Sequence, residues 1–195
     1  MTSVLGFLQI ALENPSALSK EHINLMIDEL LRANGIITEF LTLAKNRKHD
    51  LCPTELNQIV KNIMPLIEAE ANLTDKNVLF ELGNVPKLLL DEKEIRQMIL
   101  NLSLNGLEAM GQGGQLTIKT YEKSKEVILE VKDQGKGIRS KDLDKIGTPF
   151  FTTKDTGTGL GLAICYSIAN RHKAQISVDT GRKGTTFYVK FPIEG

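Results

Sequence analysis

The sequence predicts an α+β fold: a two-layer sandwich of helices on a mixed sheet of about five strands, preceded by an N-terminal helical hairpin. Apolar residues recur at helical spacing through the first 50 residues. After residue 50, helix-like and strand-like segments interleave, and neighbouring strand-like segments predict hairpins within the sheet. We therefore divide the chain into a hairpin, residues 1–50, and a larger domain, residues 51–195.

The hairpin is predicted from two apolar stripes. The first helix ends near Asn14 and Pro15, and its stripe consists of Val4, Leu5, Leu8, Ala11 and Leu12. The second helix begins after Ser19, its expected N-cap. Its apolar residues follow alternating steps of four and three if Asn34 fills one slot: Ile23, Ile27, Leu30, Ile37, Leu41 and Ala44. Such a seam either docks on the rest of the chain or, as we favour, pairs with a second copy as a four-helix bundle, giving a homodimer.

The larger domain is predicted to contain three helices and several short strands. Helices are expected at 54–72, 91–110 and 158–172, with Asp91 as the N-cap of the second. Strands are expected at 78–80, 87–90, 115–121, 126–132, 174–180 and 185–191. The segments 115–121 and 126–132 alternate apolar and polar residues, which is typical of a half-buried hairpin.

Composition and charge exclude some classes of partner. Lysine plus arginine equal aspartate plus glutamate at 24 each, which gives no indication of nucleic acid or an anionic membrane as partner. No apolar run approaches the roughly 20 residues that a membrane span needs. Cys52 and Cys165 lack metal-like spacing, and we interpret them as reduced thiols of a cytoplasmic protein. The chain begins within an apolar pattern without a charged leader, so we interpret it as part of a longer protein, with or without a membrane anchor, and with no signal peptide.

Two asparagines on one helical face give the first candidate site. Asn101 and Asn105 are four residues apart, and Glu108 lies one turn further along. Carboxamide oxygen is a suitable ligand for Mg²⁺, which keeps several of its waters and takes phosphate oxygens as well. The alternative is a solvated polar face.

The second candidate follows an apolar strand. Asp133 ends that strand and can accept a hydrogen bond from an exocyclic amino group, while Gly135 and Gly137 let the backbone approach a flat ring. The alternative is a glycine turn with an aspartate cap.

The third candidate is the glycine-rich segment Gly157-Thr158-Gly159-Leu160-Gly161-Leu162, which opens a helix. Backbone amides at such a helix start can bind phosphates. The spacing matches neither the dinucleotide-binding fingerprint nor the loop that ends in Gly-Lys-Ser/Thr.

The segment 147–156, just before it, combines small residues with an aromatic pair, as a mobile lid would. Lys154 in this segment is able to reach a terminal phosphate, although an ordinary surface loop is the alternative. A weaker cluster, Gly184-Thr185-Thr186-Phe187, opens the last strand.

The order of these clusters resembles the GHKL superfamily of ATPases and, within it, sensor histidine kinases. The resemblance covers about residues 56–192. Asn101 and Asn105 resemble the N box, and Asp133, Gly135 and Gly137 resemble the first glycine box. The remaining two motifs are similar to the F box, Phe150-Phe151-Thr152-Thr153-Lys154, and to the second glycine box, Gly157-Thr158-Gly159-Leu160-Gly161-Leu162.

The resemblance implies an ATP site with Mg²⁺. Asn105 would coordinate the metal beside Asn101, and Asp133 would bind the adenine amino group. The other implied nucleotide-binding residues are Gly135, Gly137, Lys154, Gly157, Thr158, Gly159, Leu160, Gly161 and Thr185. Asn105 and Lys154 would be the catalytic pair. Many relatives carry a basic residue three positions after the metal-binding asparagine, whereas this chain has Glu108, so phosphate neutralisation would fall on Mg²⁺ and Lys154.

The hairpin resembles the stretch after the phosphoacceptor histidine of these kinases. None of His22, His49 and His172 stands in the acceptor context, so we expect ATP binding without autophosphorylation. The resemblance implies that the intact protein transfers the γ-phosphoryl group to a histidine and then to an aspartate of a response regulator receiver domain. The alternatives are a serine kinase of the anti-sigma type and a catalytically silent interaction module; an ATPase of the gyrase or MutL type is less favoured.

Overall fold

The computed structural model describes residues 2–14, 18–44, 50–154 and 157–193. The chain separates into two compact units, Met1–Lys45 and Asn46–Gly195. The sequence-based boundary after residue 50 lies five residues further along and stays a prediction. Across the described ranges, no helix is both long and apolar enough to cross a membrane.

The first unit is a pair of helices, α1 (Thr2–Glu13) and α2 (Lys20–Ala44), that pack against each other. Ser19 caps α2 as predicted: its Oγ accepts from the N–H of His22 at 3.3 Å. The N–H of Ser19 donates in return to Nδ1 of His22 at 3.3 Å, so histidine takes the place that glutamate holds in a capping box. The His22 ring also stacks on Phe7, with 4.7 Å between centroids.

The predicted seam of α2 is exposed in the isolated chain. The side chains of Ile23, Ile27, Leu30, Ile37 and Leu41 are 44% to 57% exposed. The Ala44 side chain lies outside the described ones. Among the described side chains of this unit, Val4 and Met26 are the buried apolar ones. The seam is therefore a second apolar surface that the packing of α1 on α2 leaves uncovered.

The second unit is built on a five-stranded sheet. Its strands are β2 (Asn77–Leu82), β4 (Gln115–Lys123), β5 (Glu126–Lys132), β6 (Gln175–Gly181) and β7 (Gly184–Pro192). The strand order is β2-β4-β5-β7-β6, with β2 parallel to β4 and the remaining pairs antiparallel. The sheet is therefore mixed and five-stranded, which confirms the predicted fold class.

Helices cover one face of this sheet. They are α3 (Leu56–Leu73), α4 (Glu92–Ala109) and α6 (Gly161–Arg171), with a single-turn helix α5 (Ser140–Leu143) between β5 and α6. In the register of the sheet, Leu129 of β5 lies opposite Thr120 and Val189, and all three are buried. The next residue, Glu130, points to the other face, since side chains alternate along a strand.

The start of α4 is fixed by side chains from two other elements. Asp91 is its N-cap, as predicted, and accepts from the N–H groups of Lys93 and Glu94 at 3.0 and 3.2 Å. The buried His172, at the C-terminus of α6, accepts at Nε2 from the N–H of Asp91 at 3.0 Å. Its Nδ1 lies 2.9 Å from the carbonyl oxygen of Ile168, to which it donates in this tautomer. His172 therefore joins the end of α6 to the start of α4.

Two sequence-based boundaries were wrong. Thr54 does not open a helix: Cys52–Thr54 forms a strand, β1, which pairs with β3 (Leu88–Leu90) in a separate two-stranded sheet, and α3 begins at Leu56. The last helix begins at Gly161 rather than at residue 158. Gly159 adopts φ +70°, a left-handed conformation that a right-handed helix does not contain.

Both cysteines are free. Cys165 is fully buried in α6, and burial raises the pKa of its thiol to about 12. Cys52 is exposed on β1.

Candidate nucleotide-binding site

The predicted motifs meet around the C-terminal half of α4. Asn101 Nδ2 donates to the carbonyl oxygen of Gly161 at 3.2 Å, which joins the N box to the start of α6. A Cβ built on Gly161 would lie 3.8 Å from side-chain atoms of both Asn101 and Asn105. On the other side, a Cβ on Gly135 would lie 2.6 Å from the carbonyl oxygen of Ala109, the last residue of α4. Motifs that are far apart in sequence thus lie close together around α4.

Asp133 lies buried at the end of β5, with 4% of its surface exposed. Its Oδ1 accepts from the N–H of Gly135 at 2.7 Å and from the N–H of Thr185 at 3.1 Å. Burial raises the pKa of this carboxyl group, and the two N–H donors oppose the rise by favouring the charged form. Because both bonds end on Oδ1, Oδ2 is the atom able to accept from an amino group of a ligand.

The loop after β5 and the β6–β7 turn approach each other closely. Gly184 has φ +125°, and a Cβ there would lie 2.0 Å from the carbonyl oxygen of Asp133. Gly137 has φ +72°, and its Cβ would lie 2.0 Å from the carbonyl oxygen of Gly181. Both positions therefore require glycine, and the backbone around the Asp133 carboxyl group is held tightly.

One residue of this network was missed by the sequence analysis. Thr180 Oγ1 accepts from the N–H of Ile138 at 2.8 Å and lies 3.1 Å from Thr185 Oγ1. Thr180 and Thr185 are register partners across the β6–β7 hairpin. Drawing the register of the two predicted strands would have paired them.

Lys154 lies over the polar face of α4. Its Nζ donates to Asn105 Oδ1 at 2.9 Å and also bonds to the carboxylate of Glu108. The Lys154 side chain is 35% exposed and that of Glu108 is 59% exposed. In the structure, the predicted metal-ligating oxygen is therefore bonded to a lysine.

The lid segment is folded back on the second glycine box. The N–H of Phe150 donates to the carbonyl oxygen of Gly159 at 3.0 Å, and Phe150 adopts φ +67°. A Cβ on Gly159 would lie 2.5 Å from the carbonyl carbon of Phe150, so a larger residue would push the two backbones apart. The N–H of Lys154 donates to Thr152 Oγ1 at 3.1 Å. Residues 155 and 156 of the predicted lid lie outside the described ranges.

Leu160 and Gly157 of the second glycine box have different surroundings. The Leu160 side chain is fully buried, which leaves its backbone as the part able to meet a ligand. Its N–H bonds to Thr158 Oγ1 at 3.3 Å. A Cβ on Gly157 would lie 2.5 Å from Thr152 Oγ1, so a side chain there would disturb the lid segment.

Two grooves elsewhere on the second unit contain none of the predicted site residues. One, of about 480 Å³, is lined by outward-facing sheet residues that include Tyr121, Glu130 and Tyr188. Burial and a hydrogen bond to Glu130 raise the pKa of Tyr121 to about 12. The other, of about 170 Å³, is lined by residues that include Leu89, His172 and others near β3. Volume alone therefore does not identify the site.

The donor set fits an adenine nucleotide with a metal ion. Asp133 provides a buried acceptor within a backbone cradle, and Asn105 provides the kind of oxygen that Mg²⁺ prefers. Within the described part of the chain, no group of three or more His, Cys, Asp or Glu side chains is arranged to hold a metal. A metal here would accordingly depend on phosphate oxygens and water for most of its ligands.

Comparison with known proteins identifies the class. Residues 90–195 match the family described as histidine kinase-, DNA gyrase B-, and HSP90-like ATPase. This span is more than half of the 195 residues, and the chain belongs to that family. It is therefore an ATP-binding module.

Individual relatives narrow the assignment within the family. Sporulation kinase C of Bacillus subtilis (strain 168) is 32% identical over 197 residues, which cover 100% of this chain and 46% of that protein. Sensor histidine kinase ZraS of Escherichia coli (strain K12) is 33% identical over 197 residues, covering 99% and 42%. The chain thus spans less than half the length of these two relatives.

A solved structure agrees with these relatives. The histidine kinase ThkA, in complex with the response regulator protein TrrA, has a TM-score of 0.81 and 28% identity, covering 99% of this chain and 57% of that chain. The chain carries the ATPase module of a histidine kinase.

Proposed function

We propose that this chain binds ATP and Mg²⁺ between α4, α6 and the loop after β5, as the kinase module of a two-component sensor. The intact protein would transfer the γ-phosphoryl group of ATP to a histidine and then to an aspartate of a response regulator. The observation that carries the proposal is the buried Asp133 carboxylate, which is fixed by two backbone N–H groups and lies beside Gly106, the residue after Asn105 on α4.

In this proposal Asp133 selects the base. Its Oδ2 accepts from the adenine amino group, while the Oδ1 bonds hold the carboxylate in place. Side chains at Gly135 and Gly137 would collide with backbone atoms of the protein, so glycine is needed at both positions for this loop to keep its conformation. That conformation would leave room for the flat adenine ring. Thr185 belongs to the same polar network through Thr180.

The phosphates would lie toward Asn101, Asn105 and the start of α6. Asn105 would hold Mg²⁺, and the metal would supply neutralisation of phosphate charge. Asn101 would keep the glycine segment at this face through its bond to Gly161. Lys154 would move from Asn105 to the terminal phosphate, and Gly157, Thr158, Gly159, Leu160 and Gly161 would surround the phosphates with backbone N–H groups.

The two histidines within the described ranges are engaged elsewhere. His22 caps α2 and stacks on Phe7. His172 is buried, with both ring nitrogens bonded. His49 lies outside the described ranges. We expect none of the three to accept phosphate from ATP.

Partners are proposed on separate grounds. The complex of ThkA with TrrA supports a response regulator as the phosphate acceptor of the intact protein. The exposed apolar seam of α2 supports homodimerisation through the first unit.

Calorimetric titration with a non-hydrolysable ATP analogue, with and without Mg²⁺, tests the proposal. We expect micromolar binding that requires Asp133 and strengthens with Mg²⁺, so that Asp133→Ala abolishes it. No binding by the folded wild-type chain would favour an interaction module instead. Incubation with γ-labelled ATP should leave this chain unlabelled, and a labelled chain would contradict the assignment of its histidines.

A further inference from the structure

The Lys154 ammonium occupies the place where the N box would hold a cation. Its Nζ is 2.9 Å from Asn105 Oδ1 and is also bonded to the Glu108 carboxylate. Asn105 and Glu108 are three residues apart on α4, so both face the same side of the helix. One ammonium therefore bridges the predicted metal ligand and the acidic residue one turn further along.

Lysine and metal cannot share this oxygen. Mg²⁺ binds oxygen at about 2.0–2.1 Å, and an ammonium at hydrogen-bond distance from the same atom would be strongly repelled by the ion. Binding of a metal–nucleotide at Asn105 therefore requires Lys154 to leave. The pair with Glu108 is exposed enough to break easily, since exposed ion pairs contribute only about 0–1 kcal/mol.

Glu108 also carries a charge of the wrong sign for phosphates. While Lys154 is bound to it, that charge is neutralised. When Lys154 leaves, a bare carboxylate remains near the phosphate positions and favours the return of the lysine.

We propose that Glu108 is a positioning residue that holds Lys154 on Asn105 in the nucleotide-free chain. A metal–triphosphate must displace the lysine from both partners, so Glu108 lowers the affinity for phosphate-bearing ligands. This inference rests on the proposed Mg²⁺–ATP function and assigns Glu108, which departs from the basic residue of many relatives, a role of its own.

Four variants test the role. E108Q removes the charge, E108D keeps it, and K154M removes the ammonium. E92Q is the matched control, because it removes a carboxylate from the exposed first turn of the same helix, where Glu92 pairs with Arg96. Each chain is titrated with a non-hydrolysable ATP analogue plus Mg²⁺, and with adenosine, which lacks phosphates.

E108Q should bind the analogue about threefold more tightly, the size of one exposed ion pair, and should bind adenosine as wild type does. E108D and E92Q should stay near wild type. K154M should bind the analogue more weakly, and adding E108Q to K154M should bring a smaller gain than it brings to wild type. Unchanged or weaker binding of the analogue by E108Q would overturn the proposal, as would an equal gain with and without Lys154.

A nucleotide-free measurement keeps this inference separate from the nucleotide function. The side-chain amide NMR signals of Asn105, assigned by their loss in N105D, should shift in K154M and E108Q but not in E92Q. Signals that stay in place would overturn the inference even if the nucleotide binds. If the wild-type chain binds neither the analogue nor adenosine, the nucleotide function fails, and the proposal fails with it.

Discussion

Asp133 and Thr185 are bonded to each other twice. The N–H of Asp133 donates to the Thr185 carbonyl oxygen at 2.9 Å, and Asp133 Oδ1 accepts from the Thr185 N–H at 3.1 Å. Both residues are buried, at 4% and 5% exposure. The end of β5 and the start of β7 thus hold a carboxylate in one orientation, with its second oxygen available as an acceptor.

Asp133→Asn should change which base the site prefers. Asn can still accept at Oδ1 from both backbone N–H groups, so its amino group would take the place of Oδ2. That group is a donor and cannot pair with the amino group of adenine, a mismatch that costs about 1–3 kcal/mol. We therefore expect affinity for an ATP analogue to fall roughly 5- to 150-fold, as measured by calorimetry.

The affinity of Asp133→Asn for an inosine nucleotide gives a more specific test. An inosine nucleotide offers a carbonyl oxygen where adenine offers an amino group, so Asp133→Asn should bind it more tightly than wild type does. Asp179→Asn, which alters an exposed carboxylate on β6, should leave both affinities unchanged. Equal losses for both nucleotides in Asp133→Asn would contradict the orientation of the base.

The pH dependence of stability should report the buried charge of Asp133. Burial raises the pKa of its carboxyl group above the value in the unfolded chain. The folded state then binds the proton more tightly, so this contribution to the unfolding free energy is fully present below the unfolded pKa and is lost as pH rises through the folded one. Urea unfolding across acidic to neutral pH should therefore show wild type losing stability relative to Asp133→Asn. A difference that does not change with pH would contradict the shift.

Local signals predicted much of this architecture, and long-range pairing accounts for what they missed. Asp91 was identified as an N-cap because a cap acts on N–H groups two and three residues away. The strand Cys52–Thr54 was missed because three residues show no periodicity and their partner, Leu88–Leu90, lies far along the chain. The start of α6 was placed too early because the conformation of Gly159 depends on its contact with Phe150.

The candidate site, too, could be predicted only in part from the sequence. The motif residues could be found from the sequence because their order and spacing resemble a known family. The bond from Lys154 to Asn105 and Glu108 could not, since it joins residues 46 to 49 positions apart through flexible side chains. The nucleotide roles of the motif residues stay predictions.

Gly184→Ala should destabilise the second unit and disturb the site. Its φ of +125° is unfavourable for alanine, and the new Cβ would lie 2.0 Å from the Asp133 carbonyl oxygen. We expect a loss of at least about 1–3 kcal/mol in the free energy of unfolding, measured by urea denaturation. Gly181→Ala lies in the same turn with nothing within 4 Å of its Cβ, and should be close to neutral. Similar losses in both variants would contradict the close approach.

His172→Phe should weaken the junction of α4 and α6. Phenylalanine keeps a flat, somewhat larger ring but can hydrogen-bond to neither the Asp91 N–H nor the Ile168 carbonyl oxygen. Leaving a buried donor unpaired costs about 1–3 kcal/mol, and we expect that decrease in the unfolding free energy of the second unit. His22→Phe, in the first unit, is the control and should leave that unfolding free energy unchanged. A fully stable His172→Phe would show that the junction does not depend on these bonds.

Ile27→Glu and Ile37→Glu should convert a dimer of this chain into a monomer. Both side chains lie on the exposed seam of α2, at 47% and 57% exposure, and a charge there would be buried against the partner helix. Sedimentation velocity of wild type and variants measures the change in mass. Asp28→Lys alters charge on a different face of α2 and should leave the dimer intact, since neighbouring helical residues point about 100° apart.

A wild-type chain that is monomeric at high concentration would contradict the seam as a dimer interface. Unchanged affinity of the monomeric variants for an ATP analogue would show that the second unit binds nucleotide independently of the first.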